Sequence, residues 1–235
     1  MQKKKILVIT PVQHYPSYIE PIINPLSFLE EEYSIHPIDS LAKMQDIPNK
    51  EYYHYWEQEL SKYLPHYDAF FGFSFGGIIL QQCFSLFVNL NKPIVLFSTP
   101  TFADSTLTKK LGKVIALCKE GNMDDALFSL YKHVYYPHEI PSQEPHSFDP
   151  VLAAKRMIYG LTRVLETNST FVLKENQVNH LHLIGERSHL VNKDNVAAPQ
   201  QGILLSVPGA GMRMLRDNLP FCKRAILETL NSEAE

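Results

Sequence analysis

One stretch, Gly72-Phe73-Ser74-Phe75-Gly76, constrains this chain more than any other. Before it runs Tyr67-Asp68-Ala69-Phe70-Phe71, which reads as a strand. After it comes the apolar run from Ile78 to Val88, which reads as a buried helix. A serine with a glycine two residues to either side, at a strand-to-helix junction, is the pattern of a nucleophile elbow. The reason is crowding: the turn is so tight that a Cβ at either glycine would strike the neighbouring strand or helix. The serine is held in a strained backbone conformation that lifts its hydroxyl above the sheet. The next amide, that of Phe75, opens the helix and is placed to stabilise an oxyanion.

The rest of the chain supplies the sheet that such a turn needs. Ile6-Leu7-Val8-Ile9 is a continuous aliphatic run, as expected of a strand buried on both faces, and it ends in the loop Thr10-Pro11-Val12-Gln13-His14-Tyr15-Pro16. Residues 18–31 carry apolar positions at helical spacing, interrupted by Pro21 and Pro25. A second strand is expected over Tyr33 to Ile38, and Tyr52, Tyr53, Trp56, Leu60 and Leu64 predict an amphipathic helix over 51–64. The elbow follows, then Pro93 to Phe97 as a fourth strand. Strands alternating with helices imply βαβ units and a parallel sheet.

From about residue 103 to 168 the strands stop and helical patterns take over. Leu107, Leu111, Val114 and Cys118 define one face, and Leu127, Leu130, Tyr131 and Val134 another. A third helix is expected on Leu152, Lys155, Tyr159, Thr162 and Leu165, after a segment punctuated by Pro137, Pro141, Pro145 and Pro150 that also holds His138 and His146. This reads as a helical lid inserted over the carboxyl edge of the sheet. The sheet resumes at Leu181 to Ile184 and ends with a strand over 202–207, before a helix that uses Leu219, Cys222, Ile226 and Leu230. The expectation is an α/β fold: one domain over 1–235, a predominantly parallel six-stranded sheet flanked by helices, and the lid insertion.

Charge and composition narrow the partners. The formal net charge is −3, and no basic cluster exceeds Lys3-Lys4-Lys5, so nucleic acid is not an expected partner. The apolar run behind those lysines is too short for a signal peptide or a membrane span. Three cysteines, Cys83, Cys118 and Cys222, form no C-x-x-C and read as reduced core residues of a cytoplasmic protein. His180 and His182 lie on one expected strand, but no cysteine or carboxylate stands at ligand spacing, so no metal and no cofactor is expected.

The order of motifs resembles the α/β-hydrolase fold family over nearly the whole chain, and its small size resembles the thioesterase and small carboxylesterase branches. The elbow at Ser74 matches the family's nucleophile. Leu183-Ile184-Gly185-Glu186 resembles the strand that leads to its acid, and Val207-Pro208-Gly209-Ala210-Gly211 the segment that leads to its histidine. The departures lie where the chemistry should be. Met212 stands where the family carries histidine, and Ser188 where it carries aspartate. Ser98 occupies the acid's alternative place after the fourth strand, and Pro11-Val12-Gln13 replaces the usual His-Gly.

A serine hydroxyl is a poor nucleophile without a base, and a thioether is a negligible one. Three routes follow. In the first, a relocated base activates Ser74: His189 after the fifth expected strand, oriented by Asp194 or Glu186, or else His14 after the first strand. The oxyanion donors would be the amides of Phe75 and of Val12 or Gln13, and Phe73 and Met212 would touch the substrate. The resemblance then implies hydrolysis of a small acyl ester or thioester, free or carrier-bound. In the second, the chain keeps the pocket and binds an acyl or apolar ligand, or a partner protein, without hydrolysis. In the third, the scaffold hosts a lyase or cyclase step.

Overall fold

The computed structural model describes residues 3–141 and 148–231. Pro145 and His146 lie outside the described residues. Six strands form one sheet in the order β2-β1-β3-β4-β5-β6, and every neighbouring pair is parallel. They are β1 (Lys4–Ile9), β2 (Tyr33–Ile38), β3 (Ala69–Phe73), β4 (Ile94–Phe97), β5 (Leu181–Gly185) and β6 (Ile203–Val207). The helices are α1 (Glu20–Ile23), α2 (Asn49–Tyr63), α3 (Phe75–Gln82), α4 (Ser105–Lys119), α5 (Met123–Val134), α6 (Pro150–Glu166), α7 (Thr170–Glu175), α8 (Met214–Asp217) and α9 (Leu219–Asn231).

Strand alternation divides the core. Leu7, Ile9, Phe70, Leu96 and Ile184 face a cluster built with α2, α3 and the insertion α4 to α6. Ile6, Val8, Ala69, Phe71, Val95 and Leu183 face the opposite layer, where α8 and α9 contribute Met214, Cys222 and Ile226. Both faces are therefore covered, which is why β1 reads as an unbroken aliphatic run instead of an alternating one. The three cysteines are buried and unpaired. Among the described residues no helix is long and apolar enough to cross a membrane.

Three elements differ from the expectation. The helix after the elbow ends at Gln82 and gives way to a 3-10 turn over Phe84–Leu86, so it is shorter than its apolar run. The short α7 carries no buried residue and had no apolar periodicity to announce it. The third insertion helix, α6, buries Ala153, Arg156, Met157, Gly160, Leu161, Arg163 and Val164, not the face through Leu152, Lys155 and Leu165; Leu152 is 41% exposed. The inward face of α6 holds two arginines because both are paired, although Arg163 Nε has no partner among the described residues. Arg156 pairs with Asp39 through both guanidinium nitrogens at 2.9 and 3.0 Å and donates from Nε to the Gln13 carbonyl at 2.9 Å. Arg163 donates to Asn49 Oδ1 and to the carbonyls of Gln45 and Ile47, and lies over the Tyr52 ring at 4.1 Å.

This architecture fixes where a site can form. The chain steps outward from β1 to β2 and then crosses back to β3 on the other side of β1, so the crevice at the carboxyl ends of β1 and β3 is the switch point where open α/β sheets bind ligands. The loop after β1 and the β3–α3 turn meet there, beneath the insertion.

Candidate active site

Ser74 sits between β3 and α3 at φ 49° and ψ −109°, a conformation that only a tightly determined turn holds for a residue with a Cβ. Its amide donates to the Phe97 carbonyl at 2.8 Å and its carbonyl accepts from Ile78 at 3.1 Å, so the backbone is clamped on both sides. The glycines around it are there for space. A Cβ on Gly72 would lie 2.6 Å from the Gly77 Cα, and one on Gly76 would lie 2.2 Å from the Ile9 carbonyl oxygen in β1. The Ser74 side chain does not cap α3, which leaves its hydroxyl for other work.

The amide of Phe75 is the first of α3 and has no helical acceptor. Across the crevice, the amides of Val12 and Gln13 donate to no acceptor among the described residues. Gln13 is held in place from two directions: its carbonyl accepts from Arg156, and its side-chain Nε2 donates to the Tyr18 carbonyl.

A cavity of about 190 Å³ lies over Ser74. Its floor comes from the strand ends, with Val12, Phe73, Phe97 and Ser98, and its roof from the insertion, with Leu107, Leu111, Leu130, Tyr131, Met157 and Leu161. Leu190 and Val191 line it after β5, and Met212 and Arg213 after β6. Phe73 stacks on Phe97 at 4.2 Å, so the wall beside Ser74 is a rigid pair of rings.

The structure separates the two candidate imidazoles. His14 lines the cavity with Ser74, is 4% exposed, and its Nδ1 lies 3.1 Å from the Tyr131 hydroxyl. Burial raises the Tyr131 pKa, so its phenol stays protonated. His189 is not among the residues that line this cavity. Its ring is exposed and stacks on Tyr136 at 3.8 Å, and its pKa is lowered by partial burial and by Lys110 and Arg187. Of the two candidate imidazoles, His14 is therefore the one that shares the cavity with Ser74, and His189 lies outside it. The reason is local: Ser188 Oγ accepts from the Leu190 and Val191 amides at 3.4 and 3.2 Å, a turn that sends those two side chains inward and leaves His189 outside.

The acidic candidates fare likewise. Asp194 is exposed, with its own amide held by Asn192 Oδ1, and it does not line the cavity. Glu186 accepts the Gly209 amide at 2.7 Å and so closes the turn after β6. Ser98, with φ 43°, donates to the Met212 carbonyl at 3.2 Å and ties the ends of β4 and β6 together. His180 and His182 are buried under the sheet; burial and then His180 hold His182 at about 3. Among the described residues no three His, Cys, Asp or Glu side chains converge as a metal site would require.

Sequence reasoning missed Arg156, Tyr131 and Arg213. Arg156 had a signal, since it lies within the 153-157-160-161-164 apolar stripe, where an arginine must be paired to be buried. Tyr131 was assigned to the α5 face and not to His14, because a contact across 117 residues leaves no local mark.

No protein-family model matches the chain, and no curated protein matches it in sequence. Solved structures do match in three dimensions. MGS-M2, an alpha/beta hydrolase enzyme from a Medee basin deep-sea metagenome library, superposes with a TM-score of 0.73 at 11% identity, covering 98% of this chain and 90% of its own. MenH from S. aureus gives 0.73 at 17% identity, with coverage of 100% and 96%. The esterase EaEST from Exiguobacterium antarcticum gives 0.69 at 13%, with 98% and 92%. The fold is that of the α/β hydrolases, with α4 to α6 as its helical insertion. Identities this low carry the fold and not the chemistry.

Proposed function

We propose that the chain is a serine-dependent acyl-transfer hydrolase of small esters or thioesters, with an altered triad. The observation that carries this reading is the Ser74 backbone: a strained, clamped serine under a largely apolar cavity, facing amides that find no acceptor among the described residues. Ser74 Oγ attacks the carbonyl carbon and its proton passes to His14 Nε2, while His14 Nδ1 donates to the Tyr131 oxygen. The amides of Phe75 and of Val12 or Gln13 receive the oxyanion. The alcohol or thiol leaves with the proton from His14, and water repeats the sequence on the acyl-enzyme. Phe73 and Met212 form walls against the acyl group, and α4 to α6 act as the lid.

In this reading Met212 takes the place of the family's histidine, and Ser188 or Ser98 the place of its acid. A neutral phenol orients an imidazole but cannot balance an imidazolium as a carboxylate does. Replacing the acid of a Ser-His-Asp triad by a neutral isostere lowers kcat by about 10⁴, so a slow enzyme is expected.

A second reading, a ligand-binding protein without hydrolysis, draws on Met212 and on a cavity lining that contains no Asp or Glu among the described residues. One experiment decides. A fluorophosphonate probe should label Ser74 in the native chain, His14→Ala should abolish labelling, and His189→Ala should leave it intact. A folded wild type that resists the probe refutes the hydrolase. If Met212→His with Ser188→Asp then accepts it, the scaffold is intact and the second reading stands.

A further inference from the structure

Among the described residues that line the Ser74 cavity, the charged side chains are Arg213 and Arg216, and there is no carboxylate. This contrasts with the whole chain, whose net charge is −3. Arg216 is exposed and belongs to the mouth, but Arg213 is half-buried. Its guanidinium lies over the Tyr135 ring at 4.1 Å, and that ring is only 8% exposed. Among the described residues no oxygen accepts from the Arg213 guanidinium. The carboxylate four residues on, Asp217, is occupied on both oxygens: Oδ2 accepts the Gly211 amide at 2.8 Å and Oδ1 meets His138 Nε2 at 3.3 Å. Burial lowers the Arg213 pKa, yet a guanidinium remains charged in any protein.

A planar fork of five donors, partly withdrawn from water and without an acceptor, is costly unless an anion completes it. The surrounding wall is apolar, with Met212 before it and Met214 and Leu215 after it. The cavity, at about 190 Å³, is smaller than the roughly 300–1,000 Å³ of drug-sized sites. We propose that Arg213 is the anchor of an anion site in this cavity, which takes a short or monocyclic apolar ligand bearing a carboxylate. Two parallel N–H···O bonds match the two oxygens of a carboxylate, whereas a phosphate group brings more charge and a third acceptor oxygen, and the one further cation among the described lining residues, Arg216, is exposed. The substrate class that follows, an ester or thioester whose acyl part ends in a carboxylate, rests on Ser74 being the nucleophile; the ligand assignment does not.

The test separates the two. Binding of phenylacetate and of its neutral isostere phenylacetamide is measured by titration calorimetry on wild type, Ser74→Ala, Arg213→Met and Arg213→Lys. Charge-assisted hydrogen bonds predict that phenylacetate binds roughly ten- to a hundredfold more tightly than the amide. Ser74→Ala should keep this preference, Arg213→Met should erase it while still binding the amide, and Arg213→Lys should retain a part. Equal binding of the two probes, binding of neither up to about 10 mM, or a preference that survives in Arg213→Met overturns the site. Tighter binding of phenyl phosphate than of phenylacetate overturns the carboxylate assignment. In the activity arm, mono-4-nitrophenyl succinate should be cleaved with a higher kcat/KM than 4-nitrophenyl butyrate. A carboxylate preference in binding, in a chain that no fluorophosphonate labels, supports the ligand site and refutes the hydrolase.

Discussion

The strain at Ser74 can be read directly by replacing the residue in two ways. At φ 49° and ψ −109° a residue with a Cβ sits outside its comfortable regions, at a cost of about 1–3 kcal/mol. Alanine keeps that Cβ and its strain, and glycine removes both. The hydroxyl makes no cap to α3, so losing it should cost the fold little in either variant. Glycine gains freedom in the unfolded chain worth about 0.4–1 kcal/mol against the fold. The difference leaves Ser74→Gly more stable than Ser74→Ala by about 0.5–2 kcal/mol. At roughly 2–4 °C per kcal/mol for a chain of this length, the melting temperatures should differ by about 1–8 °C. Calorimetry on the two variants measures it, with probe labelling absent in both. If Ser74→Gly melts at or below Ser74→Ala, the elbow is not strained and the principal support for an active serine is gone.

A second pair of variants tests the crowding around that turn. Gly76→Ala places a Cβ 2.2 Å from the Ile9 carbonyl oxygen and 2.8 Å from that of Thr10, both immobile backbone, and should destabilise by about 3 kcal/mol or more. Gly112→Ala in α4 meets nothing within 4 Å and should stabilise by about 0.5–1 kcal/mol; urea midpoints of the same sign for both would refute the spatial argument. A third prediction concerns pH. His182 is held at about 3 by burial and then by His180, below its ordinary 6.5. As pH falls through that window the unfolded chain takes up a proton that the fold refuses, so stability present above pH 6.5 is lost, at about 1.4 kcal/mol per pH unit. Stability measured from pH 7 to 4 should fall, and His182→Gln should flatten the slope; an unchanged slope would show that His182 is not the group responsible.

What could be read from the sequence followed the range of the forces involved. The elbow is a local steric pattern, and each buried strand declares itself by its own aliphatic run, so the sheet was legible to its last strand. β2 matches its expected limits, Tyr33 to Ile38. The inward face of α6 was not legible, because Arg156 and Arg163 look like solvated positions until Asp39, Asn49 and the carbonyls that receive them are brought in from more than 110 residues away. Which of His14 and His189 shares the cavity with Ser74 was not legible for a similar reason. Both follow strands, and both could face the serine; the turn capped by Ser188 decides, and nothing in a loop's composition announces which way its next side chain points.

Ser188 and Ser98, which the family resemblance sets at the acid positions, bear on how this site came to be as it is. Ser188 still caps the Leu190 and Val191 amides, and Ser98 still ties the end of β4 to the Met212 carbonyl. A hydroxyl keeps those loops in place as a carboxylate would, so the fold does not need an ionisable group at either position. The elbow is different, because its conformation opposes stability and survives only where the surrounding structure forces it. A chain that no longer used Ser74 would lose nothing by placing glycine there, and would gain the strain energy. The positive lining deepens the point: with Arg213 and Arg216 at the wall and no carboxylate among the described residues that line the cavity, an imidazolium formed there would be poorly compensated until an anion enters. A carboxylate-bearing ligand anchored at Arg213 would bring the missing negative charge with it, so occupancy and activation of the site would rise together.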